Sequence, residues 1–164
     1  MDKKTAKYSR LYAQARLLLE KESTLIAQMA TINAILYHKM QGFFWVGFYF
    51  AGNTQLTVGP YQGPLACQNL PYPKGVCWAA IIQNTPLVVP DVTRFPNHIA
   101  CDRRSKSEIV LPVYNSLNET VAVLDIDSDK LNNFNDIDLY GLRQIIGLIN
   151  KEYLNTLPPI HKTN

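Results

Sequence analysis

No stretch of this 164-residue sequence approaches the roughly 20 consecutive apolar residues that a membrane span needs. The basic N-terminus, with Lys3, Lys4 and Lys7, is not followed by the apolar segment that directs secretion, so no signal peptide and no membrane partner are expected. Excess charge is also scarce. The formal net charge of +3 is too small to argue for nucleic acid. There is no CxxC pair, and the three cysteines (Cys67, Cys77 and Cys101) are an odd number in a chain long enough to bury a core without a disulfide scaffold. Free thiols of that kind point to a reducing, cytoplasmic location. Internal repeats, coiled-coil heptads and low-complexity linkers are absent too. One domain is expected over residues 1–164, with residues 1–6 and 158–164 frayed.

What is present is an apolar fraction of 47%, enough for a globular core. Residues 4–22 read as an amphipathic helix on Tyr8, Leu11, Tyr12, Ala15, Leu18 and Leu19. Ser23 is placed to cap a second helix whose apolar face includes Leu25, Ile26, Met29, Ile32 and Leu36, with Gly42 as its stop. Residues 43–50 are aromatic and β-branched and predict a strand. Ala51-Gly52-Asn53 is a hairpin signal, with residues 55–58 as the partner strand. On the first strand Trp45, Gly47 and Tyr49 share one face, two rings beside a glycine that leaves room for a ligand.

Residues 59–75 are rich in Gly and Pro and read as irregular, with a short strand over 65–70 around Cys67. Cys77 opens a helix over 77–83, where the dipole favours its thiolate. Residues 87–89 are a short strand, and 94–107 are polar and irregular, carrying His98 and Cys101. Residues 109–114 and 120–127 form a second hairpin. Asp125 and Asp127 share a face there and cannot enter a core unpaired. Asn135 or Asp136 caps a final helix through Ile137, Tyr140, Ile145, Ile149 and Tyr153. This order predicts an α+β fold: a central, mostly antiparallel sheet flanked by N-terminal and C-terminal helices.

Three chemistries suit the sulfur and carboxylates. A zinc site from Cys67, Cys77, Cys101 and His98 lacks the tight ligand pairs of structural zinc, and no metal is expected. A Cys-His hydrolase lacks a nucleophile motif and leaves two cysteines unexplained. Thiol redox gives every unusual residue a role: Cys101 beside His98 attacks an electrophile, becomes a sulfenic acid, and condenses with Cys67 from its Gly/Pro-rich loop. Clustered carboxylates raise one another's pKa and can donate a proton to a leaving oxygen.

Six motifs in order are Trp45-Val-Gly-Phe-Tyr49, Gly59-Pro-Tyr-Gln-Gly63 with Ala66-Cys67, Gly75-Val-Cys77, His98-Ile-Ala-Cys101-Asp102, Ser107-Glu-Ile-Val-Leu-Pro112 and Leu124-Asp-Ile-Asp-Ser128. Together they resemble the free methionine (R)-sulfoxide reductases, which are stand-alone GAF-domain enzymes. The resemblance implies reduction of free L-methionine (R)-sulfoxide through an intramolecular disulfide, with thioredoxin as reductant, no bound cofactor, and often a dimer. It implies Cys101 as nucleophile, Cys67 and Cys77 as resolving candidates with Cys67 first, and Glu108, Asp125 and Asp127 as the groups that bind the substrate amine and manage its oxygen. Trp45 and Tyr49 match pocket aromatics for the S-methyl group. His98 stays outside the implied catalytic set. The sequence departs from the family pattern at Trp78-Ala79 after Cys77, where a Gly-Thr pair is usual, and at Pro64. A GAF sensor module that binds a small molecule without chemistry is the alternative reading.

Overall fold

The computed structural model describes residues 2–21, 23–52 and 54–161. Met1 and the last three residues of the predicted frayed ends, Glu22 of the predicted first helix and Asn53 of the predicted turn lie outside them. Helices α1 (Lys3–Leu19) and α2 (Leu25–Lys39) come first, followed by strands β1 (Trp45–Ala51), β2 (Gln55–Gln62) and β3 (Asn69–Pro71). Helix α3 (Gly75–Gln83), strands β4 (Leu87–Val89), β5 (Ser107–Tyr114) and β6 (Thr120–Ser128), and helices α4 (Asp136–Ile146) and α5 (Lys151–Leu154) complete the chain. The strands form one sheet in the order β3-β2-β1-β6-β5-β4, with every pairing antiparallel.

The period of two along each strand splits the core into two layers. Val46 and Phe48 of β1, Ile109 and Leu111 of β5, and Leu124 and Ile126 of β6 face α1, α2, α4 and α5. Trp45 and Tyr49 of β1, Val110 of β5 and Val123 of β6 face the other way, toward α3. The first layer is a closed apolar core. The second is interrupted by polar side chains, and that interruption is the site.

Several local expectations are corrected. Thr24, not Ser23, caps α2, its side chain accepting from the Ala27 N–H. The single final helix is two: α4 is closed by a capping box at Asn135 and ends at Gly147, and Asn150 caps α5. The strand predicted over 65–70 is the shorter β3, at 69–71. Strand β2 runs past residue 58 into the Gly/Pro segment. Gly47 pairs with Tyr61 and Tyr49 with Val58, so Gly59 and Pro60 together oppose Phe48 as a bulge. A bulge tolerates a residue that lacks an N–H, and the Pro60 carbonyl is instead used by Asn33 Nδ2 at 2.6 Å.

Described residues near both ends are anchored. Residues 3–6 form the first turn of α1, capped by Asp2, and Lys4 Nζ reaches the buried Asp138. Leu18 and Ile26 are exposed, leaving Tyr8, Leu11, Ala15 and Leu19 as the buried face of α1. At the other end the Ile160 N–H donates to the Thr120 carbonyl at 2.7 Å, and its side chain is buried.

Candidate active site

The site is built on the α3 side of the sheet, where three strands bring their side chains into rows. Trp45 of β1, Asp127 of β6 and Glu108 of β5 align across the ladder, and Gly47, Asp125 and Val110 form the next row. Glu108 is therefore the neighbour of Asp127 across strands, and Asp125 lies on the same face of β6 one row along. Glu108 and Asp125 are buried, at 5% and 6% exposure.

The space expected above Gly47 is not open. A side chain at 47 would collide with the Trp45 ring and with Tyr61. The glycine lets the indole lie flat over its own strand, stacked on Tyr49 at 5.8 Å and on Tyr61 at 5.4 Å between centroids. Trp45 and Tyr49 thus make one wall of a cavity floored by Glu108, Asp125 and Asp127.

The opposite wall carries sulfur. Cys67 and Cys101 are joined in a disulfide with Cα atoms 5.3 Å apart, although 34 residues separate them. Cys101 is exposed and Cys67 half-buried, so the bond lies at the mouth of the cavity. The Tyr49 hydroxyl donates to the Cys67 carbonyl at 3.0 Å and ties the sulfur loop to the sheet. On the rim, Arg104 grips Asp102 through Nε and Nη2 at 3.0 and 2.7 Å and lies 5.4 Å from the centre of the Phe44 ring. That pairing holds the Asp102 carboxyl down at about 2. The enclosed space is about 40 Å³, room for little more than water.

Cys77 is the remaining thiol, free and 2% exposed in the first turn of α3. The expected depression by the helix dipole is overturned. Burial pushes this thiol up, and the facing Asp125 and Glu108 add to the effect. Gly75 sets the start of that turn with φ of +83°, a backbone conformation that suits glycine. Its N–H donates to the Asn97 carbonyl at 3.0 Å, joining α3 to the loop that carries His98 and Cys101. Trp78, the departure noted after Cys77, points elsewhere. Its indole donates to the Leu70 carbonyl at 2.9 Å and meets Tyr72 edge-on, so it pins β3 and does not cover the cavity.

The electrostatics follow from burial without a matching cation. Burial raises Glu108 well above the usual carboxylate range, and Asp127 adds to it. Burial likewise raises Asp125, with Glu108 next in effect. Asp127 is raised by burial to about 6, restrained by a Ser105 hydrogen bond and by His98. His98 Nε2 lies 3.4 Å from Glu108 Oε2. Within the site, among the described residues, the buried acceptor Asp125 Oδ1 and the buried donor Trp45 Nε1 have no hydrogen-bond partner. Burial thus favours the protonated forms of the acids on the floor.

The zinc ligands considered from sequence are not assembled, because Cys67 and Cys101 are joined to each other. A different set, Cys77, Glu108 and Asp125, has donor atoms within 4.8 Å of one another. Asp125 already interacts with both of the others.

The GAF domain family profile matches residues 15–152. GAF domain-containing protein A of Dictyostelium discoideum is 46% identical over 147 residues, covering 89% of this chain and 92% of that protein. Free methionine-R-sulfoxide reductase of Escherichia coli (strain K12) is 39% identical over 153 residues, covering 93% of this chain and 92% of that protein. The X-ray structure of free methionine-R-sulfoxide reductase from Neisseria meningitidis in complex with its substrate superposes with a TM-score of 0.87 at 35% identity, covering 93% of this chain and 92% of that one. The chain belongs to the free methionine-R-sulfoxide reductase family of GAF domains.

In this GAF domain Cys101, Cys77, Glu108, Asp125, Asp127, Trp45 and Tyr49 line one cavity, and Cys67 is tied to its edge by the disulfide to Cys101. Sequence reasoning set His98 aside, yet it lies in the same cavity against Glu108. It also passed over Phe44 and Arg104, whose cation–π contact only folding creates. The closeness of His98 to Cys101 in sequence was the available signal, but it pointed to the thiol and not to the acid.

Proposed function

We propose that this protein reduces free L-methionine (R)-sulfoxide to methionine, with Cys101 as nucleophile and Cys67 as resolving thiol. The observation that carries the reading is the Cys67–Cys101 disulfide at the mouth of a cavity whose floor is Glu108, Asp125 and Asp127. In the reduced protein the Cys101 thiolate attacks the sulfoxide sulfur and forms an S–S bond, while a protonated acid of the floor gives its proton to the oxygen. The resulting hydroxyl passes to the Cys101 sulfur as the S–O and S–S bonds to the substrate sulfur break. Methionine leaves with its sulfur reduced, and Cys101 carries the oxygen as a sulfenic acid. The Cys67 thiol displaces it as water and forms the disulfide. Two thiols are thereby oxidised and one sulfoxide reduced, and a dithiol protein of the thioredoxin class restores the thiols.

The division of labour among the acids follows their pKa shifts. Asp127, ionised above about pH 6, pairs with the substrate ammonium, and neutral Glu108 or Asp125 donates to oxygen. A methionine sulfoxide inside a peptide has no ammonium to offer, which selects the free amino acid. The Trp45 and Tyr49 rings take the S-methyl group. Such a thiol cycle belongs in a reducing compartment, and the cytoplasm is the proposed location.

The test is NADPH oxidation by the protein with thioredoxin and thioredoxin reductase, given each sulfoxide epimer and an acetylated, amidated methionine sulfoxide. Consumption with the free R epimer alone is expected. No consumption with either free epimer would falsify the reductase reading and leave a ligand-binding GAF module.

A further inference from the structure

Resting on that reading, we propose that His98 is the proton inlet of the site: its imidazole passes a proton to Glu108 in each turnover, replacing the one the carboxyl gives to the sulfoxide oxygen.

The need for an inlet follows from the chemical balance. The two thiol hydrogens of Cys67 and Cys101 end in the water that leaves, so no proton is consumed overall. They begin at the mouth of the cavity, however, and the first must be delivered at its floor. Cys101 releases its proton when it becomes a thiolate, and the sulfoxide oxygen takes a proton from an acid. That acid then stands ionised in a buried place and must be recharged before the next substrate.

Glu108 cannot readily be recharged from solvent directly, because its side chain is 7% exposed. His98 lies 3.4 Å from it with its own side chain 14% exposed, partly buried and partly at the surface. This is a loose approach of the kind that tightens when substrate is bound. Behind Glu108 the contacts continue inward to Asp125 and then to Cys77. The groups facing His98 from the packed elements are Glu108 of β5 and Asp127 of β6, with Asp102 of its own loop acting on Asp127. Burial lowers the pKa of His98 and the charge of Asp127 raises it. Imidazole is the side chain suited to exchange protons with solvent near neutral pH.

Backbone bonds hold the loop at His98. The His98 N–H donates to the Phe95 carbonyl at 3.3 Å, and Gly75 of α3 secures the preceding Asn97. A purely structural His98 would anchor this loop, and its loss would then loosen substrate binding. A proton inlet instead slows turnover and leaves binding intact.

The experiment compares the parent protein with His98→Ala and His98→Gln, using the thioredoxin assay and free methionine (R)-sulfoxide. Activity of the parent is established first, so that failure of the reductase reading shows before the variants are judged. Both variants are expected to lose on the order of 10²-fold in kcat, the scale of general acid–base catalysis, with KM close to the parent's. Added imidazole should restore His98→Ala in a saturable way and leave His98→Gln slow. The restored rate should follow the imidazolium fraction as pH is varied. His98→Gln keeps the side-chain bulk, so it decides the matter if His98→Ala does not fold. Turnover of His98→Gln at the parent rate overturns the proposal. So does a loss that falls on KM and is not restored by imidazole.

Discussion

Glu108 stands directly opposite Asp127 on the β5–β6 ladder, and Asp127 is the cross-strand partner of Trp45. Like charges in that relation destabilise a sheet. Here they are retained with Glu108 buried and Asp127 half-buried, with Asp125 beside them and His98 the nearby base. An arrangement that costs folding energy without a ligand, and accepts a cation and gives a proton when one arrives, is a functional one.

The acid cluster makes stability depend on pH in an unusual direction. Asp127 rises from the ordinary 3.8 to about 6 in the fold. Between those values the folded protein holds a proton that the unfolded chain has released. The resulting contribution is complete below pH 3.8 and is lost as pH rises through about 6; it amounts to about 3 kcal/mol. His98, whose pKa is lowered by burial, acts in the opposite sense. Thermal melting of the oxidised, substrate-free protein at pH 4.5 and 7.5, parent against Asp127→Asn, reads the Asp127 share. Asp127→Asn should lose less melting temperature across that interval than the parent.

The two ends of the disulfide should fail differently. Cys101→Ser has no nucleophile and should release no methionine, a rate loss of at least ~10³-fold. Cys67→Ser should release one methionine per protein and then stop, with Cys101 trapped as a sulfenic acid that a dimedone probe labels. Quenched-flow quantification of methionine, with mass spectrometry of the protein, reads both. Steady thioredoxin-dependent turnover by Cys67→Ser would transfer the resolving role to Cys77.

Cys77 is buried, and its thiol is pushed up by burial and the nearby acids. It is thus poorly placed to exchange with the Cys67–Cys101 bond. Cys77→Ser, which keeps a hydrogen-bonding group toward Asp125, should form that disulfide and turn over at close to the parent rate. Peptide mapping after one turnover and the steady-state assay check the two parts.

Gly47 owes its identity to the indole lying over it. Gly47→Ala should push Trp45 out of its stack with Tyr49 and Tyr61. A cost of about 1–3 kcal/mol is expected from such overpacking, together with a raised KM. Urea denaturation followed by tryptophan fluorescence measures the first and initial rates measure the second.

Asp138 is fully buried and receives the Tyr8 hydroxyl at 2.9 Å, the Asn135 N–H at 2.9 Å and the Lys4 ammonium. Asp138→Ala removes the capping box of α4 and the α1 anchor together. It should destabilise the fold by about 3–5 kcal/mol, as expected when a buried charged partner is removed. The Cys67–Cys101 chemistry of the protein that remains folded should be unchanged. Denaturant titration and single-turnover rates separate the two effects.

The amino-acid sequence by itself determined the order of most elements, because apolar periodicity is local and survives without a tertiary context. It also carried the layer arrangement, the antiparallel hairpins and the six motifs that mark the family. The helix break at Gly147 and the shift of the α2 cap to Thr24 were not legible. Packing and backbone bonds that no window of sequence contains decide them. Folding alone decided the site's physics. It buried Cys77 against Asp125 so that desolvation outweighs the helix dipole, and filled the room above Gly47 with Trp45, while the Cys67–Cys101 pairing agrees with the partner the sequence put first. It also set His98 against Glu108 instead of leaving it only beside the thiol. Each of these depends on distances between strands and loops far apart in the chain, and electrostatics and packing act through those distances.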